Sequence, residues 1–152
     1  MSQNSKLFDY ESMNHEEKIR NAAQNLKGTI KKTDLIYSDF FSKEYGNNVY
    51  IKPENLQVTG SFKVRGAFNK IANLTKEERE KGVVTSSAGN HAQGVALSAQ
   101  KAGIKSVIVM PSVTPLIKIE GTRSYGSEVV IHGNVYDESY KEALRLSKEK
   151  GY

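Results

Sequence analysis

The stretch GVVTSSAGNHAQGVALSAQKAGIKSVIVMP (residues 82–111) sets two short apolar runs, VVTS and SVIVM, on either side of an alanine-rich segment opened by a glycine. Short β-branched runs with little polar alternation suit strands covered on both faces. A helix-length segment between them suits the crossover of a parallel pair. The same alternation extends in both directions. Downstream come a proline-led helix (TPLIKIEGTRSYG, 114–126), a strand (EVVIH, 128–132) and a last helix ending near Lys150. Upstream, SFKVRGAFNKIANL (61–74) places Val64, Ala67, Phe68, Ile71 and Leu74 on one helical face. TKEEREKG (75–82) is a brief helix with Thr75 and Glu78 at capping-box spacing. NVYIK (48–52) reads as a further strand. About four strands alternating with helices predict an α/β fold, an open parallel twisted sheet with helices on both faces and right-handed crossovers.

Two helices are predicted before the sheet. NHEEKIRNAAQNLKG opens on Asn14 and Glu17 at capping-box spacing, lines up Ile19, Ala22, Ala23 and Leu26, and stops at Gly28. A second covers Leu35 to Tyr45 and ends at Gly46. The 152 residues are 38% hydrophobic, enough for one core of ordinary size. The chain has no cysteine, which excludes disulfides, thiolate nucleophiles and zinc–thiolate sites. No apolar run reaches the roughly 18 residues that cross a bilayer, and the first residues lack the layout of a secretory signal. The cytoplasm is the expected location. The net charge of +5 is spread over interleaved lysines and glutamates, the pattern of solvated helix faces, so neither nucleic acid nor membrane is an expected partner.

Ligands of open α/β sheets sit at the carboxyl ends of strands, against helix N-termini. Two segments occupy such places. In SSAGNHAQG (86–94), Ser86, Ser87, Gly89 and Asn90 form a small-residue bend. Its bare amides could hold an anion such as a carboxylate, or could simply be a capped strand-to-helix turn. Neither GxxxxGK[ST] nor GxGxxG is present, so nothing supports a nucleotide-phosphate loop. In ENLQVTGSFK (54–63), Lys63 stands in the first turn of a helix, where the dipole disfavours a cation. Most lysines are solvated surface groups. Gly60, Gly66, Ser61 and the flat face of Phe62 instead suggest a partly desolvated amine able to form a Schiff base with an aldehyde. His91 and His132 have no partner at metal spacing, and no metal site is expected.

Together, KPENLQVTGSFKVRGA (52–67), SSAGNHAQGVA (86–96) and VIVMPSVTPLIKIEGTRSYGSEVVIHG (107–133) resemble the hallmark segments of the fold-type II pyridoxal-phosphate enzymes. Within that group they are most similar to the threonine/serine dehydratases, the L-threonine ammonia-lyases. The resemblance runs from about Lys31 to the end of the chain. It implies a pyridoxal 5'-phosphate cofactor held covalently by Lys63, which would later move the substrate α-proton. It also implies Phe62 against the pyridine ring, Asn90 hydrogen-bonded to the ring hydroxyl, and Ser87, Gly89, Asn90 and His91 around the carboxylate of a small amino-acid substrate. The product would be a 2-oxo acid and ammonia, and the full-length form a homo-oligomer. Related serine racemases carry an acidic serine where this chain has Ala88, so the resemblance favours elimination over racemisation.

The resemblance also sets an expectation about domains. Residues 1–49 would be a helical segment of an incomplete large domain, and 50–152 the α/β small domain that carries the lysine and the SSAGNH turn. The family's early Thr-Pro-Leu is Thr33-Asp34-Leu35 here. Its glycine-rich phosphate loop has no counterpart, since no two glycines are adjacent. The expectation is therefore an N-terminal fragment with exposed helix faces, weak cofactor binding and little turnover alone. The alternatives are an inactive remnant or partner module of a full-length dehydratase, a racemase-like enzyme, and a small non-covalent anion-binding domain.

Overall fold

The computed structural model describes residues 12–152. Its elements run α1 (His15–Asn25), β1 (Ile36–Tyr37), α2 (Asp39–Tyr45), β2 (Tyr50–Ile51), a 3₁₀ turn (Glu54–Leu56), α3 (Lys63–Ala72) and α4 (Lys76–Lys81). Then follow β3 (Val83–Ser86), α5 (Asn90–Ala102), β4 (Ser106–Met110), α6 (Leu116–Arg123), β5 (Glu128–Ile131) and α7 (Tyr136–Lys150).

The parallel sheet has the order β3-β4-β5, with Val83 opposite Ser106 and Val107 opposite Glu128. All five residues of β4 are buried, which a strand achieves only when both faces are covered. Ile108 and Met110 join Ala67 and Ile71 of α3 and Ala92, Val95 and Ala99 of α5 in the main core. Their neighbours Val107 and Val109 alternate to the other face, where α7 packs on β3 and β4. The chain is thus an α/β protein whose helices sandwich a parallel sheet. Gly82 starts β3 at φ 91°, and a Cβ there would lie 2.6 Å from the Lys105 carbonyl oxygen, so only glycine lets β3 approach β4 at this end.

Both expected capping boxes form. The Asn14 amide donates to Glu17 and the Glu17 amide to Asn14; Thr75 and Glu78 exchange the equivalent bonds. Two expectations are corrected. The run 48–52 does not join the parallel sheet. Its two strand residues pair antiparallel with Ile36–Tyr37, because Pro53 and the 3₁₀ turn stop the strand before any crossover can form. The second helix accordingly begins at Asp39, where Ser38 accepts a hydrogen bond from the Phe41 amide, and Ile36–Tyr37 are extended. The parallel sheet has three strands among the described residues. α1 buries none of its residues, and Ile19 is 70% and Phe40 71% exposed.

Candidate active site

The segment leading into α3 is locked before the helix starts. Gln57, 4% exposed, exchanges two bonds with the backbone of Lys31, accepting from its amide at 2.8 Å and donating to its carbonyl at 2.9 Å. Glu54 accepts a fork of two bonds from Arg65 Nε and Nη2, each 2.7 Å, and a third from Thr33 Oγ1 at 2.6 Å. Lys52 Nζ closes the ring on the Thr33 carbonyl at 2.6 Å. The Arg65 guanidinium, outweighing the opposing effect of burial, holds the Glu54 carboxyl down at about 2, with Thr33 adding to it. Charge-assisted fork geometry of this kind is among the strongest polar contacts a protein makes.

α3 therefore begins at a fixed place, with Lys63 as its first residue. No acidic residue shares that turn, so the lysine meets the positive end of the helix dipole uncompensated. Its side chain is exposed, which corrects the expectation of a partly desolvated amine: the flank offered by Phe62, itself exposed, does not enclose it. Nζ lies 5.1 Å from the Phe62 ring centroid, within cation–π reach, and makes no hydrogen bond or ion pair with the described residues.

The second segment is brought against the first by a close helix crossing. A Cβ on Gly94 would stand 3.1 Å from the Lys63 carbonyl carbon and from the Val64 nitrogen. The backbone of Lys63 thus rests on α5 one turn beyond Asn90. Ser87 Oγ accepts from the amides of Gly89 (3.3 Å) and Ala92 (3.2 Å) and keeps its own O–H to donate. The Asn90 and His91 amides open α5, where the first N–H groups have no helical acceptor, and they bond to nothing among the described residues. Asn90 Oδ1 accepts from Lys118 Nζ at 3.2 Å. His91 is half-buried; that burial, and then the positive charge of Lys63, hold its pKa below the ordinary value. Ser86 Oγ, buried at the end of β3, has no hydrogen-bond partner among the described residues.

The structure gathers Lys63, Phe62 and the 87–91 turn into one region at the carboxyl end of β3. Sequence reading missed Glu54, Thr33, Gly94 and Lys118. Each acts on a partner 11 to 31 residues away, and no local pattern announces such pairing.

This set fits an aldehyde cofactor and an amino acid. A primary amine without an ion pair among the described residues, an aromatic face beside it, open helix-start amides and an amide side chain whose NH₂ bonds to none of the described residues are the groups needed to hold an aldehyde, a ring, a carboxylate and a ring hydroxyl.

The model of the family described as "Pyridoxal-phosphate dependent enzyme" matches residues 26–152. An L-threonine ammonia-lyase of Thermotoga maritima is 53% identical over 135 residues, covering 89% of this chain and 34% of the relative. The processed form of threonine deaminase isoform 2 from Solanum lycopersicum superposes with a TM-score of 0.78 at 41% identity, over 91% of this chain and 42% of that one. Maize serine racemase does so with a TM-score of 0.82 at 34% identity, over 89% and 41%. The chain spans about a third of the length of its curated relatives.

Proposed function

The chain belongs to the pyridoxal-phosphate dependent enzyme family, and from that premise we propose that it carries the amine-bearing part of a site that deaminates L-threonine, or L-serine, by β-elimination. The products are 2-oxobutanoate, or pyruvate, and ammonia. The observation that carries the proposal is the seat of Lys63: its amine has no ion pair among the described residues, and its backbone rests on α5 a turn away from the open Asn90 and His91 amides. Names of similar proteins support the reaction class, since the Thermotoga maritima and Solanum lycopersicum relatives are described as a threonine ammonia-lyase and a threonine deaminase.

Each residue has a task in this reading. When bound, pyridoxal phosphate supplies the carbonyl that condenses with amines and a ring that withdraws electrons from the substrate α-carbon. Lys63 Nζ would hold the cofactor covalently and, once free, would accept the proton from the substrate α-carbon. Phe62, whose ring lies beside Lys63 Nζ, would offer the cofactor ring an apolar face. Asn90 would donate from Nδ2 to the ring hydroxyl. The amides of Asn90 and His91, with the Ser87 O–H and the turn at Gly89, receive the substrate carboxylate, and the positive end of the α5 dipole adds to that attraction. A carboxylate held there would place the substrate α-carbon on the side of the turn that faces Lys63. The β-hydroxyl would leave as water, taking up the proton that Lys63 has removed, and the unsaturated amine so formed hydrolyses to the oxo acid and ammonia. Ala88, on the same turn, has no proton to deliver, which favours elimination over the racemisation named for the maize relative.

The test is reduction with borohydride in the presence of pyridoxal phosphate, followed by peptide mapping. The label is expected on Lys63, and absent from the K63A chain. A label spread evenly over many lysines defeats the assignment and leaves a non-covalent anion site as the reading of the 87–91 turn.

A further inference from the structure

Lys118 repeats the anomaly of Lys63. It lies in the first turn of α6, again with no acidic residue in that turn, so the helix dipole opposes its charge. Its position is nevertheless determined. Ile119 packs against the main core, and Gly121 sits so close to α5 that a Cβ there would lie 2.5 Å from Gln93 Nε2. One turn back along both helices, Lys118 Nζ reaches Asn90 Oδ1 at 3.2 Å. α6 thus touches α5 at two points, Gly121 on Gln93 and Lys118 on Asn90.

The second contact has a chemical consequence. A lysine ammonium is a donor with no acceptor, so the atom facing it must be the Asn90 oxygen, not the nitrogen. The carboxamide is planar, and its Nδ2 hydrogens therefore point away from α6. We propose that Lys118 is a positioning residue: its ammonium pins the Asn90 carboxamide so that its NH₂ is presented to the hydroxyl of a bound pyridoxal ring. The proposal rests on the reading of Asn90 given above. Without the ammonium, the carboxamide can turn over and present its oxygen, an acceptor, to an oxygen of the ligand. The contact also polarises the amide, since its carbonyl end faces a full positive charge.

Lys118 is half-buried, its bond to Asn90 lies at the surface, and methionine matches the apolar stem, so K118M should leave the fold intact, checked by an unchanged thermal midpoint. Two readouts are needed. The first uses the protein without added cofactor: the side-chain NH₂ cross-peak of Asn90 in a ¹H–¹⁵N spectrum, assigned by its loss in N90A. The second is borohydride-fixed pyridoxal phosphate on the Lys63 peptide at sub-saturating cofactor. K118M is expected to move or broaden the Asn90 cross-peak and to lower the Lys63 label about three- to tenfold, the range for one ordinary hydrogen bond, since the bond affected is the one Asn90 makes to the ring hydroxyl. K118R is expected to keep both within about twofold, since it restores a donor cation. An Asn90 cross-peak unmoved in K118M overturns the pin while leaving the Lys63 site standing. A cross-peak that moves while the unsubstituted chain takes no label on Lys63 overturns the cofactor reading, and with it the purpose assigned to the pin.

Discussion

Replacing Glu54 with glutamine keeps the shape of the side chain and removes the charge that Arg65 and Thr33 address. A carboxyl held at about 2 against an ordinary 4.5 corresponds to about 3 kcal/mol of charge-dependent stabilisation at neutral pH. The Arg65 side chain is 29% and that of Glu54 16% exposed, so solvent screening trims this to roughly 2 kcal/mol. The sign follows from the depressed value. The stabilisation is complete above the unfolded carboxyl's pKa and is lost as pH falls from 4.5 toward 2, where both states bind the proton. Urea unfolding of the native chain and E54Q, followed by circular dichroism across pH 2–7, measures the difference. It is expected to be about 2 kcal/mol at pH 7, to shrink below pH 4.5 and to vanish near pH 2. A gap that stays constant across this range, or one under about 0.5 kcal/mol at pH 7, would show that the fork does not hold the α3 approach.

Removing the Lys63 charge (K63M) is expected to raise the His91 pKa while leaving it below the ordinary imidazole value, because burial, the larger cause, remains. A proton NMR titration reads this, and an unmoved His91 would separate the two residues. G94A gains about 1 kcal/mol of helix propensity but pushes a methyl to 3.1 Å from the Lys63 backbone. Stability should change by less than about 1 kcal/mol while borohydride labelling of Lys63 falls, and unchanged labelling would refute the seating role. G82A meets both a positive φ and the Lys105 carbonyl, and should cost roughly 2 kcal/mol, lowering the thermal midpoint by roughly 6 °C.

What could be read from the sequence is what is local or strongly periodic. The strand at Ser106–Met110 was visible because double-sided burial leaves a run with almost no polar residue, and the partly buried Val83–Ser86 because its β-branched run is bounded by Gly82 and the small-residue turn. The capping boxes at Asn14 and Thr75 were visible because both partners lie within one turn. The run at 48–52 misled because a β-branched, aromatic pentapeptide looks the same whether it joins a parallel sheet or a two-residue ribbon; Pro53 was the clue against the former. At the site, Lys63 and Asn90 stood out as residues at odds with or suited to helix starts. The exposure of Lys63 depends on packing and could not be read from its neighbours. The Lys118–Asn90 contact spans 28 residues of chain, and only the seating of α6 on α5 creates it.

The complete enclosure of β4 has a kinetic consequence. Its amides can exchange hydrogen with deuterium only when helices on both sides come away together, which amounts to global opening. The turn that presents Asn90 is tethered to this strand by the Ser87 amide on the Val109 carbonyl at 3.1 Å. One rim of the site is therefore anchored to the slowest-exchanging segment, while Lys63 stands on α3, whose own approach depends on the Glu54 fork. Acid between pH 4.5 and about 2 should loosen the lysine side first and leave the carboxylate-receiving turn in place until the whole sheet dissolves.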